Sequence, residues 1–200
     1  MAFADRVTRA DIDDCEEDER YEYWIGNDPS GDEVRCSFVT RPRERPLFAR
    51  VLEIGATPYE SATQQPTAFS EAEFSFLDRP GGPTTVLIPT LEGPALSRLH
   101  GVVAFIPPIA LGSAVEWGYE LRWPGMWDRL RETGFDLHQS VLDGTRAAKL
   151  EVMLHFPYAV DRLQIDVPSF GDVDYPDSRT FRWSATRPRA GEHVFSLRCR

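Results

Sequence analysis

Apolar and polar residues alternate with period two along most of the chain after residue 20, the pattern of strands with one buried and one solvated face. Tyr21, Tyr23 and Ile25 alternate with Glu22 and Trp24, and beyond the turn-forming run NDPSGD (27–32) Val34, Cys36 and Phe38 alternate with Arg35 and Ser37. These two segments predict a hairpin. Phe48, Leu52 and Ile54 predict the next strand, residues 56–67 a polar loop, and Phe74 and Phe76 a short strand. Residues 84–88 predict another strand, after the turn signal RPGGP at 79–83. The continuous apolar run 102–106 suits a strand buried on both faces, which Pro107 and Pro108 must end or bend by removing two backbone donors.

The clearest alternation follows. Val115, Trp117, Tyr119, Leu121 and Trp123 oppose Glu116, Gly118, Glu120 and Arg122, giving a half-buried strand with one aromatic face. Strands are also predicted around Leu150–Val152–Leu154–Phe156, Leu163–Ile165–Val167, Phe181–Trp183–Ala185 and His193–Phe195–Leu197–Cys199. Pro124, Met126, Trp127, Leu130 and Arg131 have helical spacing with Gly134 placed to close the helix, and residues 1–14 allow a second short helix. About ten or eleven short strands and almost no helix predict an all-β fold, an immunoglobulin-like β-sandwich with a closed β-barrel as the alternative. The expected organisation is an acidic N-terminal arm over 1–20 and one sandwich domain over 21–200, with PTLEGPALSR (89–98) as a second candidate boundary.

Charge divides the chain unevenly. The net charge is −10, yet residues 11–19 (DIDDCEEDE) hold seven acids and no base, and the remainder carries 25 acids and 22 bases. Residues 179–200 carry six arginines and one glutamate, and Arg41, Arg43, Arg45 and Arg50 form a smaller basic cluster. The acidic run reads as a solvated arm that docks on an arginine-rich surface, the C-terminal strands above all. The acidic balance argues against nucleic acid as a partner. The longest apolar run, 102–111, is ten residues with two prolines, against the roughly 20 residues of a membrane helix. Cys15, Cys36 and Cys199 have no short spacing. With no secretory segment visible at the start, a cytoplasmic protein with reduced thiols is expected.

Candidate chemistry is sparse. Glu116 and Glu120 share a strand face, but four residues of strand separate them by roughly 13 Å, wider than the roughly 5–9.5 Å of a glycosidase pair. His100, His138, His155 and His193 form no metal-ligand spacing, and no phosphate-cradling glycine loop or nucleophile elbow occurs, so neither a metal nor a cofactor is expected. His193 reads as a satisfied, partly buried histidine and His155 as an exposed or edge one. Cys36 and Cys199 fall on predicted core faces, where thiols are inert, and Cys15 is read as more exposed but suppressed by its acidic neighbours.

Aromatic residues are the remaining candidates for a site. Trp117, Tyr119, Trp123 and Trp127 crowd together with Arg122 and Arg129 nearby. They read either as a core layer or as a ligand- or partner-binding set, since Trp, Tyr and Arg dominate interface hot spots. Trp24 and Met153 lie on otherwise polar strand faces, which marks them for contact with a second element. Arg179, Arg182, Arg187, Arg189 and Arg198 make up an expected basic face.

The segments IALGSAVEWGYELRW, LEVMLHFPYAVDRLQIDV and WSATRPRAGEHVFSLRC follow one another in the second half of the chain. In that order residues 100–200 resemble the β-rich domain that follows a helix-turn-helix domain in GC-rich bacterial regulators. The resemblance implies an immunoglobulin-like sandwich for interaction or sensing. DNA binding does not transfer, because no helix-turn-helix is recognisable here.

Three functions are therefore in play. The first is a non-catalytic interaction module that binds a protein partner or itself. The second is a small-molecule sensor or carrier with an apolar pocket lined by Trp117, Trp123 and Phe105. The third is a hydrolase or lyase built on His155, His138 and a carboxylate from another strand.

Overall fold

The structure is a computed structural model and describes residues 14–55, 72–78, 83–92, 98–142, 146–189 and 191–199. In chain order its elements are β1 (Cys15–Trp24), β2 (Glu33–Pro42), β3 (Leu47–Gly55), β4 (Glu73–Phe76), β5 (Thr84–Glu92), β6 (Arg98–Ile109), β7 (Val115–Arg122), α1 (Asp128–Thr133), β8 (Phe135–Leu142), β9 (Ala147–His155), β10 (Leu163–Asp166), β11 (Asp172–Asp177), β12 (Thr180–Thr186) and β13 (Gly191–Cys199). They form an all-β sandwich. One layer is a seven-stranded sheet in the order β11-β12-β9-β1-β2-β7-β4, and two three-stranded sheets, β3-β6-β5 and β10-β13-β8, cover it. Among the described residues no sheet closes into a barrel. The polar loop expected at 56–67, the turn at 79–82 and the helix allowed over 1–13 lie outside the described residues.

Alternation explains why one face of the large sheet is covered. Tyr21 and Tyr23 sit opposite Cys36 and Val34, Cys36 and Phe38 sit opposite Tyr119 and Trp117, and Val152 sits opposite both Tyr21 and Trp183. A period of two places all of these on one side. The β3-β6-β5 sheet packs over β2 and β7 through Phe105, whose ring lies edge-on to Trp117 at 5.6 Å. The β10-β13-β8 sheet packs over β12 through Phe195, edge-on to Trp183 at 5.3 Å. Burying side chains of this size contributes about 1.5–3 kcal/mol each.

The acidic segment is not an arm from residue 15 onward. β1 runs unbroken across the expected boundary at residue 20 and lies inside the large sheet, antiparallel to β2 and parallel to β9. On either side of the candidate boundary at 89–98, of which residues 93–97 lie outside the described residues, β5 pairs antiparallel with β6 from Thr84 opposite Ile106 to Glu92 opposite Arg98. β6 passes Pro107 and Pro108 and ends at Ile109, and its pairing with β3 shifts register between Leu47 and Ala49. Within the 102–106 stretch Val103, Ala104 and Phe105 are buried, so both faces are covered there as expected, and cover is lost only at Ile106, which is 56% exposed.

The helix forms where its spacing predicts. Gly134, at φ 69°, closes it in the left-handed conformation that glycine adopts without steric cost, and its N–H bonds to Leu130 O at 3.0 Å. The helix is fixed to the β1–β2 turn by a buried carboxylate. Asp32 takes a two-pronged bond from Arg131 (both 2.7 Å), and it also accepts the backbone N–H groups of Gly26 and Trp127, each at 3.1 Å. The Asp32 hydrogen bonds, with help from Asp128, hold the Arg131 guanidinium charged well beyond its ordinary range. Removing one partner of such a buried pair leaves the other uncompensated, at a cost of about 3–5 kcal/mol. Asp32→Ala should therefore lower the unfolding free energy by about 3 kcal/mol in urea titration, and a loss below about 1 kcal/mol, the scale of an exposed pair, would mean that the clamp is solvent-screened.

Candidate functional site

The covered face of the large sheet holds a buried charge cluster. Continuing the alternation of Tyr23 and Tyr21 backwards along β1 reaches Glu19, Glu17 and Cys15, all of them buried. Glu17 is fully buried and accepts from Arg50 Nε (2.7 Å) and Thr40 Oγ1 (2.6 Å), and Arg146 Nε lies 3.3 Å away. Trp117 Nε1 donates to Thr40 Oγ1 at 2.8 Å, so the indole completes the chain of donors. Glu19 accepts from the Tyr21 hydroxyl at 2.8 Å and lies 3.6 Å from Arg146. Burial opposes the Arg50 charge, but Glu17 and Glu19 outweigh it and raise its pKa above the ordinary arginine value. The Arg50 guanidinium also lies over the rings of Phe38 (4.6 Å) and Trp117 (5.3 Å). Two carboxylates and two guanidiniums thus neutralise one another between the layers. The arginines come from β3 and the segment before β9, not from the expected C-terminal basic strands.

The aromatic candidates belong to the core. Trp117, Tyr119, Trp123 and Trp127 are all buried, and so is Phe105. Trp117 stacks on Phe38 at 4.4 Å, Tyr119 on Phe74 at 5.1 Å, and Trp127 meets Tyr23 edge-on at 6.0 Å. Phe105 meets Trp117 edge-on at 5.6 Å, so the set is packed among other core rings and none of it is exposed. Burial, ahead of every other influence, pushes the Cys36 thiol up to about 12, an inert thiol as its core position predicts. Two thiol expectations are reversed: Cys15 is fully buried, and Cys199, the last residue of β13, is exposed.

The opposite face of the large sheet is an ion-pair ladder. Arg35 joins Glu33 (3.2 Å) and Glu120 (3.0 Å), Arg122 reaches Glu33 and Glu120, Arg20 joins Glu22 and Glu151, and Arg41 joins Asp18 at 2.6 Å. Glu120 is therefore paired rather than simply solvent-facing. Trp24, singled out for contact with a second element, stacks on His155 at 4.7 Å and lies under the Arg35 guanidinium at 5.1 Å. Met153 is covered by Arg20, whose Nη2 lies 3.2 Å from its sulfur.

His155 is neither exposed nor at an edge, since β9 lies between β1 and β12. Thr180 Oγ1 donates to Asp177 at 2.8 Å, so its oxygen accepts from His155 Nδ1–H at 3.2 Å. In the neutral ring, which desolvation favours, Nδ1 therefore carries the proton and Nε2 is a buried lone pair 3.9 Å from the Glu22 carboxylate. Desolvation holds the His155 pKa below its ordinary value, with Arg20 adding to this and Glu22 and Asp177 opposing it. The His155–His138 pairing is not formed: His138 is on β8, opposite Phe195 in a covering sheet. His193 is the satisfied core histidine its register predicts, with Nε2 2.7 Å from Arg189 O.

The five C-terminal arginines do not form one face. Arg182 projects from the outer side of the large sheet and pairs with Asp174, whereas Arg198 projects from the outer side of a covering sheet, over the Phe135 ring. Arg179 and Arg187 occupy turns at the two ends of β12, and Arg189 lies over Phe170.

No family model and no curated protein matches the chain. Among solved structures, the NMR structure of the folded domain of the Mycobacterium tuberculosis protein LppM aligns over 92% of this chain and 90% of that one, at 11% identity and a TM-score of 0.30.

Two outcomes follow from this geometry. Glu17→Ala leaves the buried Arg50 without its hydrogen-bonding carboxylate and should destabilise the fold by about 3–5 kcal/mol in denaturant titration, whereas replacing Glu17 and Arg50 together by Met should recover most of that loss. A double variant as unstable as the single one would show that the pair is not the unit at work. For His155, the unfolded state takes up its proton first, so stability is complete above the ordinary histidine value of about 6.5 and declines as pH falls through it. Melting temperatures between pH 8 and 5 should decline less steeply in His155→Gln than in the wild type, and parallel curves would refute this.

Proposed function

We propose that this chain is a protein-interaction module of the cytoplasm that docks through the outer face of the β3-β6-β5 sheet. The observation carrying this reading is the apolar character of that face. Register places Ala49, Ala104 and Val86 in one row across the three strands, with Val51 and Val102 in the next; Ala49 and Ala104 are buried and Val51 and Val102 half-buried, so the accessible apolar surface lies at the β5 side of the row. Val86 and Ile106 are exposed, as are Phe48 at the register shift and Leu111 in the adjoining β6–β7 turn. A solvated sheet face ordinarily alternates to polar residues, as the outer face of the large sheet does here with its charge ladder. Large apolar side chains exposed close together, as Val86, Ile106, Phe48 and Leu111 are, are a usual mark of a contact surface. Three unbridged cysteines support a reducing compartment.

Val86→Lys combined with Ile106→Lys places two charges on this face without touching the core. Used as bait in an extract of its own cells and followed by sedimentation velocity, the wild type should self-associate or retain a protein that this variant does not, at equal melting temperature. A wild type that stays monomeric and recovers the same proteins as the variant would rule the proposal out.

A further inference from the structure

We propose that the open edge of β11 accepts an extended segment of a partner protein as an additional strand, and that this segment alternates basic and apolar residues. β11 ends the strand order of the large sheet, at the opposite side from β2 and β7. This surface is therefore separate from the β3-β6-β5 face, which lies over β2 and β7. An edge strand presents unpaired backbone groups that can template a further strand. Here the Tyr175 N–H is taken by the Asp174 carboxylate at 2.8 Å, so the edge open to pairing is residues 172–174.

All six residues of β11 are exposed, and they divide by side. Asp172 and Asp174 are in register with Ser184 and Arg182, on the outer face of the sheet. Val173 is opposite Trp183, and Tyr175 lies edge-on to Phe181 at 5.8 Å, on the side that faces the covering layer. Although they share a side with the core, Val173 and Tyr175 are 44% and 55% exposed, because the covering sheet stops short of them. Cross-strand neighbours lie about 4.5–5.5 Å apart. In an added strand, one set of side chains would therefore stand beside the aspartates and the alternate set beside the valine and tyrosine. Asp174 is already paired with Arg182, so Asp172 supplies the negative charge that suits an arginine or lysine, and an aliphatic or aromatic residue suits the alternate position. Pro176 has no N–H, and the pairing with β12 shifts register between Asp174 and Asp177. The usable edge is therefore short, and side-chain complementarity must supply selectivity.

The test uses the full chain with a fluorescent peptide of alternating Arg and Val, a Glu–Val counterpart, and the Arg–Val peptide N-methylated at alternate amides. Anisotropy gives affinity, and amide chemical shifts give location. The Arg–Val peptide should bind and shift the amides of β11 and β12. N-methylation keeps every charge but removes the strand pairing, and it should weaken binding about tenfold or more. Asp172→Asn combined with Asp174→Asn should weaken it comparably at unchanged melting temperature. Three results would overturn the proposal: no binding, equal binding of the N-methylated peptide, or shifts centred on the acidic outer faces of β1 and β2. None of these bears on the β3-β6-β5 surface, whose test reads a different variant.

Discussion

Glu17 and Arg50 face each other across the gap between the seven-stranded sheet and its β3-β6-β5 cover, out of reach of water, and the surrounding structure keeps both charges satisfied. Burying two ions costs several kcal/mol each unless every lone pair and donor finds a partner. Thr40 on β2 and Arg146 before β9 meet that requirement at Glu17, Trp117 on β7 donates to Thr40 in turn, and Tyr21 on β1 serves the neighbouring Glu19. The cluster thus fixes the register between layers in a way that an apolar contact, which tolerates sliding, does not. It also explains why a strand this acidic can sit near the middle of the sheet.

The two faces of that sheet then divide their tasks. The covered face carries the aromatic core and the neutralised cluster. The open face carries paired charges interrupted by the Arg35–Trp24–His155 stack, a solvated surface held in place by short ion pairs. With the large aromatics of β7 buried, recognition is left to the periphery. The apolar outer side of the β3-β6-β5 sheet and the two-sided edge of β11 depart most from the polar surface expected of a free β-sandwich.

Much of this fold was legible in the sequence, and the failures have physical causes. Period-two alternation, together with one continuous apolar run and turn signals, located eleven of the strands, and helical spacing located α1, with Gly134 closing it as expected. β8 and β11 went unread. β11 has no buried position and hence no alternation, and β8 begins directly after the helix-closing glycine with Asp136 at a buried position. The acidic segment was misread as an arm because hydrophobic contrast is what alternation detects. In β1 both faces are charged below Tyr21, and the arginines that neutralise the inner set lie far away in sequence, at positions 50 and 146. The parity of Tyr21 and Tyr23, carried backwards to Glu19, Glu17 and Cys15, was the only signal present. The site residues fared similarly. Composition and spacing gathered Trp117, Tyr119, Trp123 and Trp127 correctly, but their neighbours Phe38, Phe74 and Tyr23 come from other strands and make them core.

Native-state amide hydrogen exchange over β1 tests the central claim most directly, because core strands open only at or near global unfolding while solvated arms exchange freely. The amides of residues 17–23 should rank with those of β2 and β9 among the slowest in the molecule. Complete exchange of this stretch in the first seconds, as from an unstructured acidic tail, would contradict the account.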